Sequence, residues 1–209
     1  NGEIYNFRDL RRDLEAAGIG PWRGTSDTEV LLNGIERWGL EDMLRRCDGM
    51  FAFALWDRKE RTLSLARDRF GEKPLFVADL GDGIAFASQL GAIMGYPGFA
   101  GDADEAAIDQ FLTLSYIPEP GTPFTNVRKL PPGTYAVLKP GERGQSPVPY
   151  WSAADVARAS MRTAARTPEA QAEVTAAIEQ RLHTVVSNQM LADVPLGAFL
   201  SGGVDSSLI

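Results

Sequence analysis

The spacing of apolar residues predicts two amphipathic helices near the start of the chain. Apolar side chains recur every three or four positions over 9–17 and again over 27–38, which places them on one face of a helix. Gly18 and Gly39 follow directly and favour helix ends there, because glycine readily adopts the left-handed conformation of a helix terminus. We expect these helices to form a layer over a sheet.

Strands are predicted between residues 50 and 87. Large and small apolar residues alternate over 50–56, so that successive side chains would lie on opposite faces of a sheet. A charged turn then leads to a second strand, 62–66, and a further hairpin is expected to join 75–78 to 84–87 through a glycine-containing turn. Because both faces of these strands are apolar, layers on both sides should cover them.

A change in composition separates this region from the end of the chain. Residues 141–167 are rich in turn formers, charged residues and small residues, which indicates an interdomain linker. Thr167 and Pro168 then give the signal of a helix start, and an apolar stripe follows at helical spacing. The stripe consists of Val174, Ile178, Leu182, Val185 and Met190. The predicted domains are therefore 1–140 and 168–209.

The last residues have the pattern of a phosphate-binding loop. The apolar run 194–200 is of strand length, and Gly202-Gly203 after it allows the backbone to approach a ligand closely. A helix beginning near Asp205 would offer unpaired N–H groups and serine hydroxyls to an anion, and the carboxylate could hold Mg²⁺. A capped strand-to-helix turn in any α/β protein can carry the same glycines, so the glycine pair alone leaves both interpretations open.

Asn1-Gly2-Glu3 offers a second set of chemical groups. A side-chain amide beside a backbone N–H is the donor pair of an oxyanion hole, because a tetrahedral intermediate of acyl transfer carries negative charge on one oxygen. Glu3 and Asp27 add carboxylates suited to an α-ammonium group. Asn-Gly is also a common β-turn sequence, and the dipeptide alone does not decide between the two. Because the sequence starts without Met or a leader, we expect an internal fragment with more chain upstream.

Six motifs occur in order along the chain. They are Asn-Gly-Glu-Ile-Tyr-Asn at 1–6, Ser-Asp-Thr-Glu-Val at 26–30, Asp-Gly-Met-Phe-Ala-Phe-Ala at 48–54, Arg-Asp-Arg-Phe-Gly-Glu-Lys-Pro-Leu at 67–75, Leu-Pro-Pro-Gly at 130–133 and Ser-Gly-Gly-Val-Asp-Ser-Ser at 201–207. Together they resemble the glutamine-hydrolysing asparagine synthetase family over nearly the whole chain. The last motif resembles the PP-loop of ATP pyrophosphatases and lacks the Gly-Lys-Ser/Thr ending of a Walker A loop.

The resemblance implies two fused domains. The first would be a class II glutamine amidotransferase of the N-terminal-nucleophile type, an α+β fold built as a four-layer αββα sandwich, with 1–140 as a part that lacks its N-terminal portion. The second would be an adenylating synthetase, with 168–209 as the start of a doubly wound α/β PP-loop domain. The whole enzyme would hydrolyse glutamine, adenylate aspartate with MgATP and combine the products to give asparagine.

The resemblance also implies roles for individual residues. Asn1 and Gly2 would form the oxyanion hole and, with Glu3 and Asp27, would bind glutamine, while the nucleophilic cysteine would lie upstream. ATP would bind along the PP-loop, with Asp205 as the candidate ligand of Mg²⁺. The implied ATP-binding residues are Phe199, Leu200, Ser201, Gly202, Gly203, Val204, Asp205, Ser206 and Ser207.

Composition narrows the range of partners. Of the 209 residues 44% are hydrophobic, yet no apolar stretch approaches the ~20 residues of a membrane span, so we expect a cytoplasmic enzyme with no membrane partner. A net charge of −7 argues against nucleic acid as a partner. One cysteine and one histidine exclude an internal disulfide and argue against structural zinc. A homodimer is among the assemblies that the resemblance allows.

Several other polar residues are interpreted as structural. Cys47 lies inside the chain, without the free α-amino group that an N-terminal nucleophile uses as its base, and should be buried. Arg67 and Asp68, with Lys73, favour an ion pair at a strand end that supports the sheet. Glu29 should stabilise the N-terminus of the helix over 27–38 through its charge.

Related functions stay open at this point. The same pair of domains serves amidotransferases that act on other carboxylates, such as sugar acids in surface-polysaccharide pathways, and a cyclising synthetase that makes a β-lactam. A relative that binds nucleotide without catalysis belongs to a different class. Gln89 and Gly91 stand where the family commonly has Glu and Lys, which puts in doubt a salt-bridge role for those charges.

Overall fold

The computed structural model of the chain describes residues 1–142, 146–161, 168–192 and 194–208. It forms two compact units, Asn1–Ala153 and Ala154–Ile209.

Three helices form one side of the first unit. They are α1 (Phe7–Ala16), α2 (Asp27–Trp38) and α3 (Leu40–Arg46), so both predicted helices are confirmed. The Ser26 hydroxyl caps α2 by accepting the N–H of Thr28 at 3.1 Å. Gly39 has a φ of +86° between α2 and α3, a conformation that glycine adopts without strain.

The described residues of the first unit also form eight strands. They are β1 (Gly2–Ile4), β2 (Gly49–Asp57), β3 (Thr62–Arg67), β4 (Phe76–Asp79), β5 (Ile84–Ala87), β6 (Val127–Lys129), β7 (Thr134–Leu138) and β8 (Val148–Pro149). A five-stranded sheet has the order β1-β2-β3-β7-β8, and a three-stranded sheet has the order β5-β4-β6. All neighbouring strands are antiparallel. The strands predicted over 50–56, 62–66, 75–78 and 84–87 are therefore confirmed.

The side chains of β2 and β3 alternate between two cores. Phe51 and Ala66 point into the core under α1, α2 and α3, whereas Ala52 and Leu65 join a second core with residues of β4 and β7. A third core lies between the three-stranded sheet and the short helix α4 (Leu90–Met94), centred on Ile93. This arrangement of helix, sheet, sheet and helix is consistent with the expected αββα sandwich.

A further helix, α5 (Glu105–Leu114), connects α4 to β6. Asp104 caps it by accepting the N–H of Ala107 at 3.1 Å. Several of its apolar side chains, including Phe111 and Leu112, are exposed. No helix was predicted here, although Ala107, Ile108, Phe111 and Leu112 recur at helical spacing.

The first unit continues beyond the predicted boundary at residue 140. Val148 and Pro149 form β8 against β7, and Tyr150 is 2% exposed within the core under the helices. Its hydroxyl donates to the carbonyl of Arg67 at 2.9 Å, and burial raises the pKa of Tyr150. Packing therefore assigns 148–151 to the first unit rather than to a linker.

The regular elements of the second unit, where it is described, are all helices. It contains α6 (Ala153–Ser160), α7 (Pro168–Gln189) and α8 (Val204–Leu208), while the predicted cap Thr167 lies outside the described residues. The apolar stripe on α7 is exposed along its length. The strand predicted over 194–200 is wrong, since these residues form no regular structure. A sheet strand needs a neighbour for its backbone hydrogen bonds, and the described part of this unit provides none.

Candidate functional site

Gly2 begins β1 in a conformation that only glycine adopts readily. Its φ is +122°, and a Cβ at this position would lie 2.0 Å from the carbonyl oxygen of Met50. Gly49, which pairs with Ile4, is equally constrained, because a Cβ there would lie 2.2 Å from the carbonyl oxygen of Glu3. The Asn-Gly pair therefore starts a strand packed closely on β2, and the β-turn interpretation is wrong.

The pairing of β1 with β2 directs the N–H of Gly2 away from the sheet. Asn1 and Ala52 exchange two hydrogen bonds, of 2.9 and 3.1 Å, which makes them a hydrogen-bonded pair. The next pair, Gly2 and Phe51, is then of the non-hydrogen-bonded kind. Since β1 is an edge strand, the N–H of Gly2 faces the open edge of the sheet.

The side chain of Asn1 reaches the other sheet. Its Nδ2 donates to the Oγ of Ser88 at 3.2 Å, and Ser88 directly follows β5, an edge strand of the three-stranded sheet. Ser88 was not among the predicted site residues, because a hydroxyl at a strand end gives no periodic signal. The amide of Asn1 thus lies between two sheet edges.

Asp27 connects α2 to β1. Because Ser26 caps the helix, the carboxylate of Asp27 is available elsewhere, and its Oδ2 accepts the N–H of Ile4 at 3.0 Å. Ile4 belongs to another non-hydrogen-bonded pair, with Gly49, so its N–H faces the same open edge as that of Gly2. The structure brings together the four residues predicted for glutamine, Asn1, Gly2, Glu3 and Asp27.

Negative charge lies beside this strand. Burial, followed by the charges of Glu72 and Glu3, raises the pKa of Tyr5 above its ordinary value. These carboxylates are therefore close enough to act on the phenol of Tyr5, which follows β1. A cationic group would be stabilised in the same surroundings.

Glu29 contacts the loop that precedes α2. Its carboxylate accepts the N–H groups of Arg23 and Gly24 at 2.8 and 2.9 Å. The bond from Arg23 is the main reason why the pKa of Glu29 is lowered. The residue expected to stabilise the helix through its charge thus also orders residues 23–24.

Asp68 organises the loop that follows β3. It is fully buried, and its carboxylate accepts backbone N–H groups from Phe51, Phe70, Glu72 and Lys73 at 3.0–3.2 Å. Phe51 belongs to β2 and the other donors belong to the loop. Asp68 therefore fixes the loop against the strand that pairs with β1.

Arg67 forms an ion pair with Glu119 and not with Asp68 as expected. The two side chains approach to 2.9 Å, and the guanidinium also donates to the carbonyls of Gly71, Lys73 and Leu130 at 2.7–2.8 Å. The physical reason is that backbone donors already satisfy the carboxylate of Asp68. Glu119 lies in a loop between α5 and β6, where the sequence gives no periodic signal.

We expect Asp68→Ala to destabilise the first unit by about 3–5 kcal/mol, because it leaves several buried N–H groups without an acceptor. Asp57→Ala is the matched control: that carboxylate also accepts two backbone N–H groups, at 2.8 and 2.9 Å, but at an exposed turn. The control should lose at most about 1 kcal/mol. Denaturant unfolding of the full-length protein measures both, and equal losses for the two variants would contradict the role given to Asp68.

The expected burial of Cys47 is confirmed. It follows α3, is 1% exposed and belongs to the core under the helices. Burial raises the pKa of the Cys47 thiol to about 12. Because the thiolate is the nucleophilic form of cysteine, Cys47 is unsuited to attack a substrate near neutral pH.

The predicted PP-loop is an exposed segment whose serine hydroxyls form hydrogen bonds within the segment itself. Gly202 has a φ of +76°, and the hydroxyls of Ser201 and Ser206 lie 2.8 Å apart. The hydroxyls of Ser206 and Ser207 donate to the carbonyl of Gly203 at 3.2 and 2.8 Å. These hydroxyls would have to rotate to reach a phosphate group. The segment 199–207 is otherwise open, and Asp205 is exposed.

The described residues contain neither a metal-binding cluster nor a membrane-spanning helix. Over 1–142, 146–161, 168–192 and 194–208, no group of three His, Cys, Asp or Glu side chains is placed to hold a metal ion. Within the same ranges, no helix has both the length and the apolar character needed to cross a membrane.

The fold and the sequence place the chain among glutamine amidotransferases. It superposes on the solved structure of glutamine phosphoribosylpyrophosphate amidotransferase from Bacillus subtilis, complexed with ADP and GMP, with a TM-score of 0.51 and 23% identity, over 72% of this chain and 28% of that one. The family described as Glutamine amidotransferase domain matches residues 1–151. The chain belongs to this family. The family described as Asparagine synthase matches residues 177–209.

Named relatives align with the whole length of this chain. Asparagine synthetase [glutamine-hydrolyzing] 1 of Bacillus subtilis is 34% identical over 211 residues. A protein of Mycobacterium tuberculosis strain H37Rv, 39% identical over 214 residues, carries the same family name as a provisional assignment. This chain is covered completely in both comparisons but spans only 31% of the length of each relative.

Proposed function

We propose that this chain is part of an enzyme that releases ammonia from glutamine and uses it, with ATP, to convert aspartate to asparagine. The observation that carries the proposal is the open edge of β1, where the N–H of Gly2, the amide of Asn1 and the carboxylate of Asp27 face one region. The names of the relatives support the same reaction.

The edge of β1 suits an extended glutamine molecule. The N–H groups of Gly2 and Ile4 are two residues apart on one side of the strand, roughly 7 Å along its axis. The amide carbonyl of glutamine would accept hydrogen bonds from Asn1 and Gly2, which stabilise the oxyanion that forms during attack. Its α-ammonium group would lie near Asp27, which contacts Ile4, and near Glu3.

The nucleophile of this half-reaction is not Cys47, whose thiol is buried and has a raised pKa. The family resemblance assigns the attack to a cysteine on the N-terminal side of Asn1. Attack on the glutamine amide forms a thioester and releases ammonia, and water then hydrolyses the thioester to glutamate.

The second half-reaction would take place at residues 199–207. ATP would lie along this exposed segment, with its phosphates at Gly202, Gly203 and the start of α8. A single carboxylate suits Mg²⁺, which proteins bind through one or two acids together with substrate phosphates, and Asp205 is the residue that would hold it. The metal would screen the charge of the pyrophosphate group. Adenylation of the aspartate β-carboxylate would release pyrophosphate, and ammonia would then displace AMP to give asparagine. A cytoplasmic location and a homodimer are part of the same proposal.

The test of this function uses the full-length gene product with α-labelled ATP, aspartate and either glutamine or ammonia. Asparagine, AMP and pyrophosphate are the expected products. ADP and phosphate would indicate carboxyl phosphorylation and contradict the PP-loop assignment. Turnover only with another carboxylate, such as a sugar acid, would show that aspartate is not the acceptor. Binding of ATP without turnover of any carboxylate would support a non-catalytic relative.

We expect Asp27→Asn to raise the KM for glutamine roughly 10- to 100-fold, with kcat changed much less. A contact with the α-ammonium group is about equally strong in the ground state and the transition state. Asparagine keeps an oxygen that can accept the N–H of Ile4, so the fold should be retained. Asp42→Asn, in the first turn of α3, is the control and should leave KM unchanged. An unchanged KM for Asp27→Asn would show that Asp27 does not bind glutamine and serves only to connect α2 to β1.

A further inference from the structure

The amide of Asn1 needs a fixed orientation to act as a donor. The side chain rotates about two bonds, and only some rotations direct an N–H group to the place that the N–H of Gly2 also faces. The bond from Nδ2 to Ser88, 3.2 Å long, uses one of the two amide N–H groups. The other N–H is then directed by the same contact and can serve a ligand.

Ser88 is itself held by two regular elements. It follows β5 directly, and Gln89 after it is the N-cap residue of α4, where its carbonyl accepts the N–H of Ala92 at 3.1 Å. Ile93 of α4 is 2% exposed in the core on the outer face of the three-stranded sheet. The backbone that carries the Ser88 hydroxyl is therefore held in place on both sides.

The two ends of Asn1 are thus fixed by different sheets. The backbone is held by two hydrogen bonds to Ala52 in the five-stranded sheet, and the amide is held by Ser88 at the edge of the three-stranded sheet. We propose that Ser88 is a positioning residue of the oxyanion hole, which orients the amide of Asn1 toward the developing negative charge. This inference rests on the proposed glutaminase activity.

Positioning of this kind acts on the chemical step. A donor that is already aimed needs no reorganisation when charge develops on the carbonyl oxygen, and small displacements of such groups are costly. Binding of glutamine in the ground state depends more on Asp27 and Glu3, which contact the other end of the substrate. Loss of the Ser88 hydroxyl should therefore lower kcat and leave KM nearly unchanged.

The test compares three variants of the full-length protein. Ser88→Ala is expected to lower kcat for glutamine hydrolysis roughly ten-fold, which corresponds to the loss of one hydrogen bond, with KM within about two-fold of wild type. Ser88→Thr keeps the hydroxyl and should restore most of the rate. Gln89→Ala, at an exposed neighbouring position with no side-chain hydrogen bond at the cap, is the control and should behave as wild type. Denaturant unfolding of each variant checks that the first unit is folded, and ammonia-dependent synthesis at the wild-type rate checks the second half-reaction.

A double-mutant cycle separates a role through Asn1 from a direct one. If Ser88 acts only by orienting Asn1, the double variant Asn1→Ala/Ser88→Ala should hydrolyse glutamine as slowly as Asn1→Ala alone. If the double variant instead loses the product of the two single fold-losses in kcat, Ser88 does not act through Asn1. That result, or a wild-type kcat for Ser88→Ala, would overturn the positioning role and leave the oxyanion hole intact. A wild-type rate for Asn1→Ala would instead overturn the oxyanion assignment itself, and with it the role of Ser88.

Discussion

Asn1→Ala is expected to slow glutamine hydrolysis by roughly 10²–10³-fold, the usual cost of removing one donor from an oxyanion hole. Synthesis with free ammonia should continue at its normal rate, because that reaction does not involve an oxyanion derived from glutamine. Steady-state assays of glutamate release and of ammonia-dependent asparagine formation measure the two activities on the same preparation. The loss should fall mainly on kcat.

Two further variants sharpen this expectation. Asn1→Asp replaces the amide by a group of the same shape that has no N–H and adds negative charge, so its loss should be at least as large. Asn33→Ala removes an asparagine whose amide donates to the carbonyl of Glu29 within α2, at 2.8 Å, and should leave hydrolysis unchanged. Glutamine turnover by Asn1→Ala within a few-fold of wild type would remove Asn1 from the oxyanion hole.

Periodicity was sufficient for the parts of the fold that bury a continuous face. The apolar spacing predicted α1 and α2, and the alternation of side chains predicted β2 and β3, because each of these elements packs on a sizeable core. β1 has only three residues, which is too short for any period to be recognised. Its existence follows from the close fit of Gly2 and Gly49 to the opposite backbones, a constraint that one sequence does not reveal.

The sequence was sufficient to predict which residues belong to the candidate site, but not how they contact one another. Motif resemblance singled out Asn1, Gly2, Glu3 and Asp27, and the structure places all of them at β1 or in contact with it. Ser88 was missed because its contact with Asn1 spans 87 positions along the chain. Such a contact depends on how the two sheets pack, and local pattern carries no information about it.

The error at 194–200 has a different cause. The run is apolar enough for a buried strand, yet Val194 and Phe199 are 70% and 99% exposed. Strand formation depends on neighbouring strands for nearly all of its hydrogen bonds, so an apolar run alone predicts a tendency and not a structure. The same reasoning applies to the exposed apolar stripe of α7, since a helix of this kind gains most of its stability from what packs on it.

The residue that tests the second half-reaction is Asp205. It is exposed at the first turn of α8, beside the Gly202-Gly203 pair, where a carboxylate can hold Mg²⁺ directly or through water. In the proposed adenylation the negatively charged β-carboxylate of aspartate must approach the α-phosphate of ATP, which is also negatively charged, while pyrophosphate leaves. Their repulsion makes the reaction depend on positive charge at this position.

Asp205→Ala is therefore expected to lower asparagine synthesis by roughly 10³-fold, whether glutamine or ammonia supplies the nitrogen. Glutamine hydrolysis should stay measurable, because the residues proposed for it belong to the first unit. Glu179→Ala removes an exposed acid from α7 in the same unit as Asp205 and should leave synthesis unchanged. Release of labelled pyrophosphate from γ-labelled ATP measures the adenylation step separately, and raising the Mg²⁺ concentration should partly restore the rate of Asp205→Asn. Synthesis by Asp205→Ala at close to the wild-type rate would exclude Asp205 as the metal ligand, and loss of both half-reactions together would show that the substitution acts on the fold instead.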